Sequence, residues 1–288
     1  MLGFYTALTF LLTCLGSISG MGGGVVLKPV MDLMGGHDAT QTGVLTATSV
    51  FIMSLVSVAR GFGERGQFRP AGALALGLGA VAGGVLGQAL LRHLVSTDAG
   101  DAFTKLCQNA VLGSVELCVL AYAFMKNARR LGLRHGAFYL AAGVSLGVFS
   151  AFLGIGGGAV NVALLMFLFN MDIKRAAAHS LLVILFSQAA KLLSILAAEG
   201  FQAFNLAPLL PCMAAAAVAG SLLGAALTRK LSQRAVLCVF GAMLAAVLCA
   251  TGYNIVKFSG TYFAGNEKSI LDPPTMKGTT PYESNEEK

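Results

Sequence analysis

The chain is a succession of long apolar stretches separated by short polar ones. The apolar stretches run Leu2–Ser19, Val25–Met34, Thr42–Ala59, Ala71–Leu94, Leu106–Met125, Ala137–Leu153, Ala159–Phe169, Ala176–Ala198, Leu206–Leu227 and Ala235–Ile255. Most approach the roughly 20 residues that an α-helix needs to cross a hydrocarbon layer about 30 Å thick. Val25–Met34 and Ala159–Phe169 are too short to cross comfortably. Each of these follows a longer stretch across a cluster of glycines, Gly20-Met21-Gly22-Gly23-Gly24 in one case and Gly154-Ile155-Gly156-Gly157-Gly158 in the other. Each glycine costs a helix interior roughly 1 kcal/mol relative to alanine. The pattern therefore predicts a helix broken at each cluster, the long and short pieces forming a hairpin.

The same order of elements occurs twice. Val81-Ala82-Gly83-Gly84-Val85-Leu86-Gly87 returns as Val218-Ala219-Gly220-Ser221-Leu222-Leu223-Gly224, and the match continues to Arg92 and Arg229. Ala47-Thr48-Ser49 stands beside Ala178-His179-Ser180 in the second copy. An internal repeat of this length points to duplication. The predicted fold class is an all-α polytopic membrane protein of two inverted repeats, each a broken-helix hairpin plus three transmembrane helices. Residues 1–131 form the first repeat, 132–258 the second, and 259–288 a polar tail expected to be disordered. Three crossings per half turn the second copy over relative to the first, a common plan among transporters.

Composition agrees with this reading. Hydrophobic residues make up 56% of the chain and charged residues 11%, against about a quarter charged in soluble domains, and the mean hydropathy is +0.75. The 36 glycines suit close helix packing in lipid. The net charge of +7 does not indicate nucleic acid, because the basic residues sit in short clusters between apolar stretches, as the positive-inside rule expects. Lys126, Arg129, Arg130 and Arg134 place the loop between the halves in the cytoplasm. Arg60, Arg65 and Arg69 fall on the same side, as do Arg229, Lys230 and Arg234. The loop around Glu199 and both termini then lie outside a bacterial-type cytoplasmic membrane. Six cysteines, all inside apolar stretches and without a Cys-x-x-Cys pair, read as small core residues rather than a metal or disulfide framework. Met1 to Ser19 lacks the basic residues of a secretory leader and is expected to be mature structure.

Candidate chemistry gathers at the two breaks. Gly22, Gly23 and Gly24, with Gly156, Gly157 and Gly158, would offer backbone N–H groups at helix N-termini, which attract anions. The alternative for these glycines is close helix packing alone. Neither cluster is a nucleotide loop, since no Gly-Lys-Ser/Thr follows. Ionisable residues inside spans are costly and are functional candidates by default. Lys28 lies one turn after the first break, and Lys191 lies beyond the middle of its span, either touching substrate or snorkelling to an interface. Alignment of the Ala-Thr-Ser and Ala-His-Ser motifs sets Arg60 opposite Lys191 and Ser57 opposite Gln188. Glu116 has no charged neighbour within a turn; it is a proton-coupling candidate or the partner of a lysine. His179 is a second proton-coupling candidate, with capping or a cytoplasm-facing position as its alternative. Thr48, Ser49, Asn161, Ser180, Gln188 and Gln41 are hydrogen-bonding groups at or near the breaks. Gly143-Val144-Ser145-Leu146-Gly147 has the spelling of a nucleophile elbow, but it lies mid-span and reads as a packing face.

Taken together, the two glycine clusters, Ala178-His179-Ser180, and the Gly-x-x-x-Gly echoes that run on to Arg92 and Arg229 resemble the sulfite exporter TauE/SafE family, also called toluene-sulfonate uptake permeases. The resemblance spans Leu2 to Ile255. It implies a secondary transporter of a small anion (sulfite or a short organosulfonate), with a short carboxylate such as lactate, or a passive anion channel, as the alternative. No cofactor, metal or enzymatic activity is expected. The partners are the small anion and the lipid bilayer, with coupling to H+ or Na+ and homo-oligomer formation left open. Two features depart from a symmetric pattern. Thr48 occupies the place of His179 in the first half, and no cysteine sits beside the breaks, unlike thiosulfate carriers that use reactive cysteines.

Overall fold

The computed structural model describes residues 2–34, 39–61, 70–95, 100–125, 130–133, 135–153 and 157–271. Each apolar stretch is an α-helix: α1 Leu2–Ser19, α2 Gly24–Met34, α3 Ala39–Gly61, α4 Pro70–Val95, α5 Gly100–Phe124, α6 Gly136–Leu153, α7 Gly158–Phe169, α8 Ile173–Glu199, α9 Leu209–Lys230 and α10 Gln233–Leu271. A short 3-10 helix, Gly200–Phe204, follows α8, and no strand occurs among the described residues. Seven of these helices are long and apolar enough to cross a membrane. The post-glycine helices α2 and α7 have only 11 and 12 residues. The chain is a multi-pass α-helical membrane protein.

Helix α4 explains the spelling of the repeat. Leu74, Leu78, Leu86 and Leu90 lie on its outer side, Leu74 being 62% exposed, where lipid replaces water as the surrounding medium. Its other face is built of glycines pressed against α6. A Cβ on Gly83 would run into the Val144 carbonyl oxygen and reach 2.8 Å from the Val148 nitrogen; one on Gly87 would lie 2.5 Å from the Val148 oxygen. Helix α9 meets α1 in the same way, Gly220 against the Phe10 oxygen and Cys14 nitrogen, Gly224 against the Cys14 oxygen and Ser17. The step along the chain from Gly20 to Gly154 also carries Phe10 to Val144, Cys14 to Val148 and Ser17 to Ala151. The two halves thus repeat this contact residue for residue. Without a hydrophobic force between helices in lipid, such close backbone approach supplies the attraction.

The remaining packing also maps onto itself when α1–α5 are exchanged for α6–α10. Helix α4 on α8 answers α9 on α3, α10 on α2 answers α5 on α7, and the pairs α3/α8 and α5/α10 join the halves directly. Helix α5 buries Gln108, Asn109, Leu112, Glu116 and Val119, and α10 buries Met243, Leu244, Val247, Thr251 and Asn254 at the same spacing. Helices α3 and α8 run in opposite directions: Gly43, early in α3, lies beside Lys191, late in α8, while Val50, Met53 and Ile184 meet at Gly22.

The second hairpin returns to the face it leaves. Leu131 and Leu133, just before α6, donate backbone hydrogen bonds of 2.8 Å to Phe167 and Leu168 at the end of α7. Tyr139 in the first turn of α6 stacks on Phe169 at the end of α7, ring centroids 3.9 Å apart. Basic residues collect at that end of the bundle. Arg130 reaches Asn170 Oδ1 at 3.4 Å, and Arg229 donates to the Arg60 carbonyl at 3.0 Å. Asp172, which caps α8 through the Arg175 N–H, also accepts from Gln233 at the start of α10. Arg65, Arg69, Lys126, Arg129 and Arg134 lie outside the described residues.

Two expectations change. The last helix does not stop near Ile255 but continues to Leu271, so the tail expected to be disordered from residue 259 begins as helix. Polar side chains do not end a helix, and the first proline after Ile255 is Pro273; residues 272–288 lie outside the described residues. The cysteines are all free, but only Cys14 is buried, and Cys118, Cys238 and Cys249 are exposed. An apolar residue facing lipid is as well placed as one in the core, so an apolar setting in the sequence did not distinguish the two.

Candidate functional site

The first break is a real interruption of the helix. Gly20 and Gly22 have φ of +74° and +75°, the left-handed region that a residue with a Cβ enters only at a cost. The chain leaves α1 there, and the Gly20 carbonyl accepts a 2.7 Å hydrogen bond from the Ser180 hydroxyl of α8. A Cβ on Gly20 would strike Ala177 of α8, and one on Gly23 would lie 2.8 Å from the Leu12 oxygen. Helix α2 then opens at Gly24. The N–H groups of Val25 and Leu27 reach the carbonyls of Gly22 and Gly23 at 3.4 and 3.0 Å, whereas those of Gly24 and Val26 have no such bond among the described residues. The whole tip, Gly20 to Gly24, is buried.

At the second break Gly154, Ile155 and Gly156 lie outside the described residues, including the Gly156 named among the site candidates. Gly157 has a φ of +71° and caps α7. The Asn161 N–H donates to its carbonyl at 3.1 Å. The Asn161 carboxamide folds back over Gly157, so that a Cβ there would lie 2.6 Å from Oδ1. The two tips touch: a Cβ on Gly158 would run into the Met21 carbonyl and the Val25 side chain. Gly22, Gly23 and Gly24, and at the second break Gly157 and Gly158, therefore pack closely and bring two helix N-termini together.

The charged groups divide sharply. Lys28 is buried and donates to Asp32 Oδ2 at 2.8 Å, an (i, i+4) ion pair inside α2. Asp32 escaped the sequence analysis although its spacing from Lys28 is the ordinary helical one. Lys28 therefore brings a compensated charge to the tip. Lys191 is 1% exposed, so it does not snorkel to an interface. Its Nζ donates to the Ala151 carbonyl at 3.4 Å, and no carboxylate lies within ion-pair distance of it among the described residues. Gly43 leaves it room, since a Cβ there would sit 3.6 Å from Nζ. Arg60, the counterpart of Lys191 in the first half, is exposed at the basic end of the bundle.

Beside Lys191 runs a polar cluster. Gln188 Nε2 donates to Ser150 Oγ at 3.0 Å, Ser150 and Ser187 share a 2.8 Å hydrogen bond, and Gln188 Oε1 has no partner among the described residues. In the first half Ser17 and Ser57, the counterparts of Ala151 and Gln188, lie 3.0 Å apart. Ser150 and Ser187 were missed in the sequence because serine in a span is ordinarily a helix-packing residue. Ser49 donates back to the Leu45 carbonyl at 2.9 Å within its own helix, and the Thr48 hydroxyl has no partner among the described residues.

His179 lies in the second turn of α8 and is 2% exposed, its Nδ1 2.9 Å from the Arg175 carbonyl. It neither caps the helix nor faces water. Glu116 is fully buried on α5, and neither carboxyl oxygen has a hydrogen-bond partner among the described residues, so the expected lysine partner is absent there. Ser145 is exposed on α6 and bonded to the Ala141 carbonyl, while Gly143 and Gly147 lie against the α4 backbone. The elbow spelling thus marks a helix-packing face, without the strand-to-helix turn such a nucleophile needs.

These features, two short helices whose N-termini meet inside a membrane bundle, accompany a matching sequence. Comparison with curated proteins and with solved structures returns no match. The model of the family described as "Sulfite exporter TauE/SafE" matches residues 5–251, and the chain belongs to that family of membrane transporters.

Proposed function

We propose that the protein is a secondary transporter carrying a small sulfur-containing anion, sulfite or a short organosulfonate, across a bacterial-type cytoplasmic membrane by alternating access. The observation that carries this reading is Lys191, an ammonium group deep in the bundle whose one hydrogen-bond partner among the described residues is a neutral carbonyl. A buried cation without a counter-ion is costly, and an anion arriving from solution supplies what is missing. The N–H groups of Gly24 and Val26, the amide of Gln188 and the hydroxyl of Thr48 are the hydrogen-bonding groups assigned to its oxygens. Asn161, Ser49, His179 and Ser180 hold the surrounding backbone and helices in place.

The two halves act as inverted repeats that rock against one another at the hairpin tips, with the basic end of the bundle in the cytoplasm. Because the tips pack on each other in the conformation described, they must part for an anion to pass between them. Glu116 is assigned as a carrier of the coupling proton, since a buried carboxyl without a partner among the described residues is tolerated as the neutral acid.

The test is uptake of labelled sulfite, sulfoacetate, isethionate, taurine and lactate into proteoliposomes, with and without unlabelled anion inside. Acceleration by internal anion identifies a carrier, and its absence a channel. Failure of every small anion to move refutes the proposal.

A further inference from the structure

Apart from tyrosine and cysteine, five ionisable side chains are buried among the described residues: Lys28, Asp32, Glu116, His179 and Lys191. Lys28 and Asp32 cancel one another across 2.8 Å. Glu116 has neither oxygen bonded among the described residues, the setting of an uncharged acid, and the His179 ring lies against a backbone carbonyl. With His179 neutral, Lys191 is left as the net charge of these five groups. Asp32 is unusual within this group. Its Oδ2 holds Lys28, but its Oδ1 is buried without a hydrogen-bond partner among the described residues, so half of the carboxylate serves no structural bond.

We propose that Asp32 sets the charge of the transported anion: by cancelling Lys28 it leaves the interior one positive charge, and so selects singly charged anions over doubly charged ones. This deepens the reading above and rests on it. The helix N-termini orient an anion through partial charges but leave the net charge unaltered. A hydrogensulfite or sulfonate ion closes the balance with Lys191. A dianion brings one negative charge more, which nothing in that count compensates. Repulsion of the wrong ligand is a recognised route to specificity.

The experiment compares counterflow of isethionate, a monoanion, with that of sulfate, a dianion, in proteoliposomes holding the full chain at neutral pH. Size-exclusion elution verifies that each variant is folded. The wild type favours isethionate. Asp32→Asn raises the interior to two positive charges and shifts the ratio toward sulfate by about tenfold or more, the scale of one unit charge acting over about 10 Å at an effective dielectric near 20. The double variant Lys28→Met with Asp32→Asn returns the count to one and restores the wild-type ratio, whereas Asp32→Glu never departs from it. If Asp32→Asn does not fold, Lys28→Met alone carries the test: it lowers isethionate counterflow by about tenfold, and the double variant restores it. A folded, active Asp32→Asn with the wild-type ratio, or a double variant that fails to revert, overturns the inference. A wild type that moves no anion refutes the transporter reading instead.

Discussion

Replacing Lys191 by methionine separates a functional cation from a structural one, because the two roles predict opposite signs. Methionine keeps most of the side-chain length and removes the charge. An anion about 5 Å from the ammonium at an effective dielectric near 20 gains about 3 kcal/mol from it, so losing the charge weakens binding by about two hundredfold. For the fold, the same change exchanges a desolvated ammonium bonded to one carbonyl at 3.4 Å for an apolar group. Such replacements are commonly neutral or stabilising by about 1–4 kcal/mol. Lys191→Met is therefore expected to melt at or above the wild-type temperature while its counterflow at low substrate concentration falls by about two orders of magnitude. Circular dichroism melting in detergent gives the first quantity and initial counterflow rates the second. Transport with unchanged apparent affinity would remove Lys191 from the site. Loss of about 2 kcal/mol of stability or more would make Lys191 a structural residue, as expected of a buried charge whose removal leaves a partner unpaired.

Other outcomes follow from the same geometry. Gly83→Ala and Gly220→Ala, at the two matched helix contacts where a Cβ meets backbone, are each expected to lower stability by about 1–3 kcal/mol, whereas Gly3→Ala, with nothing within 4 Å of its Cβ, is silent in the same melt. Ser180→Ala strips the hydroxyl from the buried Gly20 carbonyl and is expected to cost about 1–3 kcal/mol, seen in melting. Ser145→Ala leaves transport unchanged, because that hydroxyl is exposed and bonds its own helix; loss of transport would revive a chemical role for it. In a variant without native cysteines, Arg130→Cys is expected to react with a membrane-impermeant maleimide only after the cytoplasmic face is opened, and labelling from outside would invert the topology.

Much of this fold was legible because lipid leaves few alternatives. Backbone groups in a bilayer must be satisfied internally, so ten apolar stretches became ten helices, with the short α2 and α7 beginning at the ends of the glycine clusters. The repeat was readable too, since close helix contact in lipid demands small residues at fixed spacing, and Gly83, Gly87, Gly220 and Gly224 are those contacts. Periodicity carried no sign of which apolar face meets lipid and which meets protein, and so the exposure of Cys118, Cys238 and Cys249 was not foreseen.

The chain alone was thus enough for class and span order, which depend on local composition and on the solvent around it. Tertiary packing decided the electrostatics. Lys28 and Lys191 looked alike in the sequence, each a lysine in an apolar run, and they part only in space: one meets Asp32 a helical turn away, the other a carbonyl of α6 and the open side of Gly43. A charge takes its meaning from its neighbours within a few ångströms, and most of those neighbours come from distant parts of the chain.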